Sequence, residues 1–444
     1  MTKEKTPSSV GDTPKQDGEA RSRLGWAEPA AWTDRMLTAL EKGVKGGKWF
    51  SLMDKVYLPR NLKASWQKVK RNRGSSGIDR QSIEKFERHA ERYLEEIRRD
   101  LAEGNYQPQP VLRRWISKGE KGRFRPLGIP TVKDRIVQTA MRNVLEPIWE
   151  VQFSDRSYGF RPGRSAKNAL NRVDRLLKAG YLWVVDADIQ DYFDMIDHQI
   201  LMGEVKKEVA DGKILSLLER YLNQKVVEGL ESWEASRGTP QGAVISPLLA
   251  NLYLHPVDQA LEEAGYKAVR YADDLVILCR SSEEAVRALS LLKELMAKRK
   301  LNLHPEKTRV VNMNRKGGFD FLGYHFEKEH RWPRKRSYQS LKERIRRETK
   351  RANGHSLDEV IRKINPILRG WFEYFKHSCP STFRDTDGWV RMRLRSILRK
   401  RSGRRGRGRG KDHQRWPNRY FMEHGLFTMV TAHAAICQSR CGNH

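Results

Sequence analysis

The chain has 444 residues, with 86 Lys and Arg against 55 Asp and Glu and a formal net charge of +31. So large a cationic excess excludes a neutral metabolic enzyme and points to a polyanion, whose phosphates Lys and Arg neutralise with release of counterions. No run approaches the roughly 18 apolar residues of a spanning helix, and no apolar signal core opens the chain. A soluble intracellular protein with no membrane partner is expected. Cys279, Cys379, Cys437 and Cys441 form no Cys-x-x-Cys pair, so free thiols are expected rather than the paired clusters of a zinc site.

Residues 1–30 are rich in Lys, Ser, Thr, Gly, Asp and Pro and read as a disordered tail. From Gln81 to Gly104, the residues Phe86, Ala90, Tyr93, Ile97 and Leu101 recur at helical spacing, with Gly104 as the stop. A strand follows over Pro110–Ile116, then the turn Lys118–Gly122, the segment Arg125–Pro130 and a helix over 132–146. Tyr181–Ile189 reads as a buried strand with an acidic end, and helices fill 198–224. The turn Gly238-Thr239-Pro240-Gln241-Gly242 starts a helix through Leu248 and Leu249. Val286, Leu289, Leu292 and Met296 mark a further helix, and Phe319–Phe326 alternates as one strand. From about residue 335 the texture changes to basic helices. Between Arg399 and Lys411, eight of thirteen residues are Lys or Arg, separated mainly by Gly, which predicts a flexible cationic loop.

Tyr271-Ala272-Asp273-Asp274 lies between two short apolar runs and reads as the tip of a β-hairpin. Neighbouring carboxylates repel and raise each other's pKa, a cost that a divalent cation turns into a binding site. Nucleotidyl transfer needs two such ions held about 4 Å apart, and magnesium takes carboxylate and phosphate oxygens. Asp188 ends a predicted central strand and converges on Asp273 and Asp274 if the strands pair. Asp186 lies on the same strand face, and Asp191, Asp194 and Asp197 follow; spacing does not choose among these five.

Eight ordered motifs resemble the bacterial group II intron reverse transcriptases with a maturase region. They begin with Trp66-x-x-Val69-x-x-Asn72-x-Gly74-x-x-Gly77-Ile78-Asp79, Arg125-Pro126-Leu127-Gly128-Ile129-Pro130 and Tyr158-Gly159-Phe160-Arg161-Pro162-Gly163-Arg164-Ser165. Ala187-Asp188-Ile189-Gln190-Asp191-Tyr192-Phe193, the Gly238–Gly242 turn and the Asp273-Asp274 tip follow, then His304-Pro305-Glu306-Lys307-Thr308 and Phe321-Leu322-Gly323-Tyr324. The resemblance covers about residues 60–425 and implies an α/β (α+β) right-hand polymerase. Fingers and palm, with an antiparallel palm sheet, would occupy 31–326. An α-helical thumb or maturase domain would occupy 327–425, and 426–444 would be a C-terminal tail with no HNH endonuclease module.

The resemblance assigns the catalytic and metal-binding triad to Asp188, Asp273 and Asp274, with the Ile189 backbone carbonyl as a further ligand and two Mg2+ ions as cofactors. Phe193 matches the residue that screens the sugar against a 2′-hydroxyl. Lys118, Arg125, Gln241 and Lys307 match contacts to the incoming deoxynucleoside triphosphate, and Lys307 also matches a lysine that protonates the leaving pyrophosphate. Ser117 stands before Lys118 where relatives commonly have Pro, which loosens that turn. Tyr271, Arg161, Arg164, Phe321, Leu322 and Gly323 match primer and template contacts. Arg344, Arg346, Arg347, Arg369, Arg404, Arg405 and Arg407 match the RNA-binding surface. The implied partners are group II intron RNA, a DNA target and primer, with a homodimer as one arrangement. The implied location is the bacterial cytoplasm, on the nucleoid when bound to DNA. The alternatives are a splicing-only maturase and a retron or diversity-generating reverse transcriptase. Without an endonuclease module the primer would come from elsewhere, for example a nascent strand at a replication fork.

Overall fold

The computed structural model of the chain describes residues 24–42, 47–117, 124–234, 236–352, 354–406, 408 and 410–441. Its strands are β1 (Val111–Ser117), β2 (Phe124–Ile129), β3 (Trp183–Asp188), β4 (Lys225–Glu228), β5 (Glu231–Glu234) and β6 (Lys267–Tyr271). They continue with β7 (Asp274–Cys279), β8 (Arg309–Asn312), β9 (Phe319–Phe321), β10 (Tyr324–Glu327) and β11 (His330–Pro333). Three sheets result, with orders β2–β1–β4–β5, β6–β7–β3–β8 and β11–β10–β9. Pairing is antiparallel at β1–β2, β3–β8, β4–β5, β9–β10 and β10–β11, and parallel at β1–β4. A mixed α/β fold with antiparallel sheets and a helical C-terminal region is the class the sequence implied.

The chain forms two compact units. The first holds Met1–Arg172, Ala187–Ile277 and Val286–Thr308. Its central helix, Val132–Glu150, is buried along most of its length, including Ile136, Val137, Met141, Val144 and Trp149. Thr131 caps that helix: its hydroxyl accepts the Asp134 N–H and donates to the Asp134 carboxylate at 2.7 Å. Two expectations about helices need correction. Gln81–Gly104 is two helices, Ile83–Glu87 and Ala90–Glu103, because His89 takes a non-helical φ of −134° between them. Gly104 does provide the left-handed stop, at φ 79°. In the Ser282–Lys298 helix, Ala285, Ala288, Leu292 and Met296 face inward, whereas Val286 is 55% exposed. The small alanines, invisible to a search for bulky apolar residues, carry the buried stripe.

The second unit holds Val173–Asp186, Leu278–Ala285 and Arg309–His444. Phe319–Phe326, expected as one strand, is the hairpin β9–β10, since Leu322 and Gly323 adopt φ 47° and 82° and reverse the chain. The alternation survives because Phe319 and Phe326 pair across the hairpin and stack at 5.1 Å. The helices Lys335–Glu348, Leu357–Phe375 and Pro380–Arg401 pack around Leu341, Ile345, Ile364, Phe372, Phe383 and Leu394. The last of these helices takes up Arg399–Arg401, so part of the expected cationic loop is helical, and Arg399 is tied to Asp412. Met429–Cys441 is a helix where the sequence suggested a tail. Its first N–H groups, of Met429 and Val430, donate to the buried Asp387 carboxylate at 3.2 and 3.1 Å.

Candidate active site

Three segments of the first unit meet at the end of β3. Ala187 and Ile189 point inward and are buried, which by strand alternation turns Asp188 outward. The 302–308 segment is bonded to this strand end: Gln190 N–H donates to the Asn302 carbonyl at 2.9 Å, and His304 N–H to the Asp188 carbonyl at 2.8 Å. That attachment carries Lys307 over the carboxylate, with Nζ 2.7 Å from Asp188 Oδ2.

The third segment is the β6–β7 turn. Ala272 sits at φ 59°, Asp273 is half-buried, and Asp274 opens β7 exposed. Burial raises the Asp273 carboxyl above the usual carboxylate range, and the Asp188 charge pushes it further up. The Arg270 and Lys307 charges pull it down. Asp188, Asp273 and Lys307 therefore share one local field. Among the described residues no three His, Cys, Asp or Glu side chains converge as a preformed metal cage. Two carboxylates suffice for a magnesium ion that takes its remaining ligands from substrate phosphates and water, so this donor set fits such an ion.

Other acidic candidates have different surroundings. Asp186 lies 3.5 Å from Arg309 Nε. Asp197 caps the His198–Glu208 helix, accepting the Ile200 N–H at 3.0 Å, and also pairs with Lys300 at 2.6 Å. Asp191 and Asp194 line a cavity of about 400 Å³ together with Arg113, Trp233, Arg237 and Gln241.

Backbone bonds tie the nucleotide candidates together. Thr239 N–H donates to the Phe193 carbonyl at 2.8 Å, and Gly128 N–H to the Gln241 carbonyl at 2.6 Å. Gly238, at φ 87°, has room only for hydrogen, because a Cβ would lie 2.9 Å from Asp194 Cα. Gly128 is in β2 with Arg125, which is exposed. Phe193 is half-buried at the edge of the Tyr192 ring. The helix after the Gly-rich turn begins at Ser246, later than expected. Lys118 lies outside the described residues.

A family model for reverse transcriptase (RNA-dependent DNA polymerase) matches residues 116–326, and one for the group II intron maturase-specific domain matches residues 338–416. Protein YkfC of Escherichia coli (strain K12) is 35% identical over 283 residues, 55% of this chain and 72% of YkfC. The chain belongs to the group II intron reverse transcriptase/maturase family. The group II intron-encoded protein LtrA of Lactococcus lactis subsp. cremoris is 40% identical over 214 residues, 48% of this chain and 35% of LtrA. An uncharacterized 91 kDa protein in the cob intron of Schizosaccharomyces pombe is 36% identical over 38% of this chain and 21% of its own length. The chain thus spans about a third of LtrA and a fifth of the yeast protein.

Several residues that the family resemblance put on nucleic acid have other settings. Arg161 is a correction: its side chain is 2% exposed, ion-paired with Glu150 at 2.8 Å, and donates to the Ser157 carbonyl at 2.8 Å. Its donors are consumed inside the protein, so it has none to offer a template. Arg164 lies nearer the surface, over the Tyr158 ring and paired with Asp155. Tyr271 is half-buried, 6.4 Å from the Phe160 ring, and Ile189 is buried. In the second unit Phe321 is buried, a second correction, because alternation turns it into the core and leaves Leu322 and Gly323 at the turn. That turn is held by Tyr374, whose hydroxyl donates to the Leu322 carbonyl at 2.8 Å, and by Ser337, which donates to the Gly323 carbonyl at 3.1 Å.

Arg344, Arg346 and Arg347 occupy the exposed face of Lys335–Glu348, with Arg346 over the Trp389 ring. Arg369 is exposed over Phe427, Arg404 and Arg405 are exposed, and Arg407 is outside the described residues. Sequence reasoning missed Arg270, Asp258 and Asn251, which are buried beside the Asp273 turn. The available signal was a lone arginine inside an apolar strand, which requires a buried partner. Among the described residues no helix is long and apolar enough to cross a membrane.

Proposed function

We propose that the protein is the RNA-directed DNA polymerase of a group II intron, copying intron RNA into cDNA, and a maturase that binds the same RNA to promote splicing and mobility. The single observation that supports this reading is the Lys307–Asp188 pair, 2.7 Å apart at the end of the strand beside the Asp273 turn, a cation set against one of the clustered carboxylates. Asp188, Asp273 and Asp274, with the Ile189 carbonyl, would hold two Mg2+ ions. Those ions would supply activation of the primer hydroxyl and neutralisation of the phosphates.

The chain's own groups do the rest. Arg125, Lys118 and Gln241 bind and orient the deoxynucleoside triphosphate, and Phe193 excludes a 2′-hydroxyl from the sugar site. Lys307 exchanges Asp188 for the nucleotide phosphates and delivers a proton to the departing pyrophosphate. Arg164, Tyr271, Leu322 and Gly323 position template and primer. The exposed arginines of the helical region, from Arg344 to Arg405, follow the RNA backbone. The work is placed in the bacterial cytoplasm, and on the nucleoid when DNA is bound.

Primer extension tests this reading: purified full-length protein, an RNA template, a DNA primer and four deoxynucleoside triphosphates, with and without EDTA. Metal-dependent extension is expected. A well-folded protein that binds intron RNA yet adds no nucleotide under any divalent ion would leave the splicing-only maturase.

A further inference from the structure

The Arg270 guanidinium is buried, with 2% of its side chain exposed, and each of its nitrogens has a partner. Nε donates to Asp258 Oδ1 at 2.8 Å and Oδ2 at 3.1 Å, and the far nitrogen pairs with the same carboxylate. The remaining nitrogen donates to Asn251 Oδ1 at 3.0 Å and to the carbonyl of Ala272 at 3.0 Å. Asp258 and Asn251 lie on the Ser246–Glu263 helix, so one fork joins that helix to the turn preceding Asp273.

The turn needs such a clamp. Ala272 holds a left-handed φ of 59°, a conformation an alanine does not adopt without support. Asn251 closes the far side by donating through Nδ2 to the Gly159 carbonyl at 2.8 Å. Gly159 lies so close that a Cβ there would be 2.4 Å from Ala272 N. Tyr158 N–H donates to the Arg270 carbonyl at 2.8 Å, and Arg270 N–H to the Arg156 carbonyl at 2.9 Å. The turn is therefore held on both sides by groups of the protein itself.

We propose that Arg270 is a positioning residue for the polymerase reaction: clamped by Asp258 and Asn251, it fixes the Ala272 carbonyl and so sets where the Asp273 carboxylate stands relative to Asp188. The inference rests on the proposed polymerase reading. An ordinary buried ion pair would only anchor strand to helix, and its loss would lower stability without moving the metal site. The positioning role makes a separate demand, because lysine keeps the charge but cannot span Asp258, Asn251 and Ala272 at once.

The test compares full-length Arg270→Lys and Asp258→Asn with Leu261→Ala, a buried-core control on the same helix. Each is measured for melting temperature, for kcat and KM in primer extension, and for Mn2+ affinity by electron paramagnetic resonance. The first two variants are expected to weaken Mn2+ binding about tenfold and to lower kcat about 10- to 100-fold with primer–template KM unchanged. Leu261→Ala is expected to lose melting temperature alone. Wild-type Mn2+ affinity and kcat in folded Arg270→Lys would overturn the proposal, as would equal losses in all three variants. If Arg270→Lys does not fold, Asn251→Ser, which removes one acceptor of the same guanidinium, decides by the same criteria. Failure of the wild type to extend a primer would count against the polymerase reading, while Mn2+ affinity would still decide this one.

Discussion

Lys307 Nζ rests 2.7 Å from Asp188 Oδ2, so the chain places a side-chain cation against one of its clustered carboxylates. The lysine side chain is 57% exposed, and an exposed pair of this kind contributes only about 0–1 kcal/mol to stability. The role proposed for it is chemical. Lys307→Gln is expected to melt close to the wild type while single-turnover incorporation falls about 10²-fold or more. A large melting shift with unchanged incorporation would reassign the pair to stability.

Arg161 gives the opposite signature. Removing one partner of a buried, hydrogen-bonded ion pair leaves an uncompensated charge, so Arg161→Ala should cost about 3–5 kcal/mol in denaturant unfolding. At a temperature where the variant is folded, its template affinity should match the wild type. Weakened template binding without lost stability would restore the template role that the motif suggested.

These two residues illustrate what the sequence could and could not reveal. The β6–β7 hairpin, the strand ending at Asp188 and the basic helices were legible because alternation, turn chemistry and charge are local. The chain reversal inside Phe319–Phe326 was not, since the turn depends on positive φ at Leu322 and Gly323 within an uninterrupted alternating pattern. The partners of Arg161 and Arg270 were not legible, because Glu150 and Asp258 sit on helices that only the tertiary fold brings close. The parallel pairing of β1 with β4 joins segments about a hundred residues apart, and no local signal marks it.

Phe193 should govern the choice of sugar. Its backbone is tied to the Gly-rich turn through Thr239, so trimming the ring should leave the site standing. Phe193→Val is expected to raise the ribonucleotide-to-deoxyribonucleotide ratio of kcat/KM about 10- to 100-fold. An unchanged ratio would remove Phe193 from the sugar site.

Asp134 predicts a pH signature of stability. Burial raises its carboxyl to about 6, although Thr131, Tyr106, Tyr221 and the Gln109 N–H all donate to it. A carboxyl whose folded pKa lies above its unfolded value favours folding while protonated, and that contribution is lost as pH rises. Stability should therefore decline between about pH 4 and the folded value of about 6. In Asp134→Asn this component should vanish, read as melting temperature against pH. A slope identical to the wild type would show that the carboxyl does not titrate in that window.

The most direct measurement replaces Asp273 and Asp274 together with Ala and follows cDNA synthesis and intron splicing on one preparation. Synthesis is expected to fall about 10³-fold or more, as loss of metal-held charge neutralisation demands, with RNA binding and splicing retained. Undiminished synthesis in the folded double variant would contradict the account.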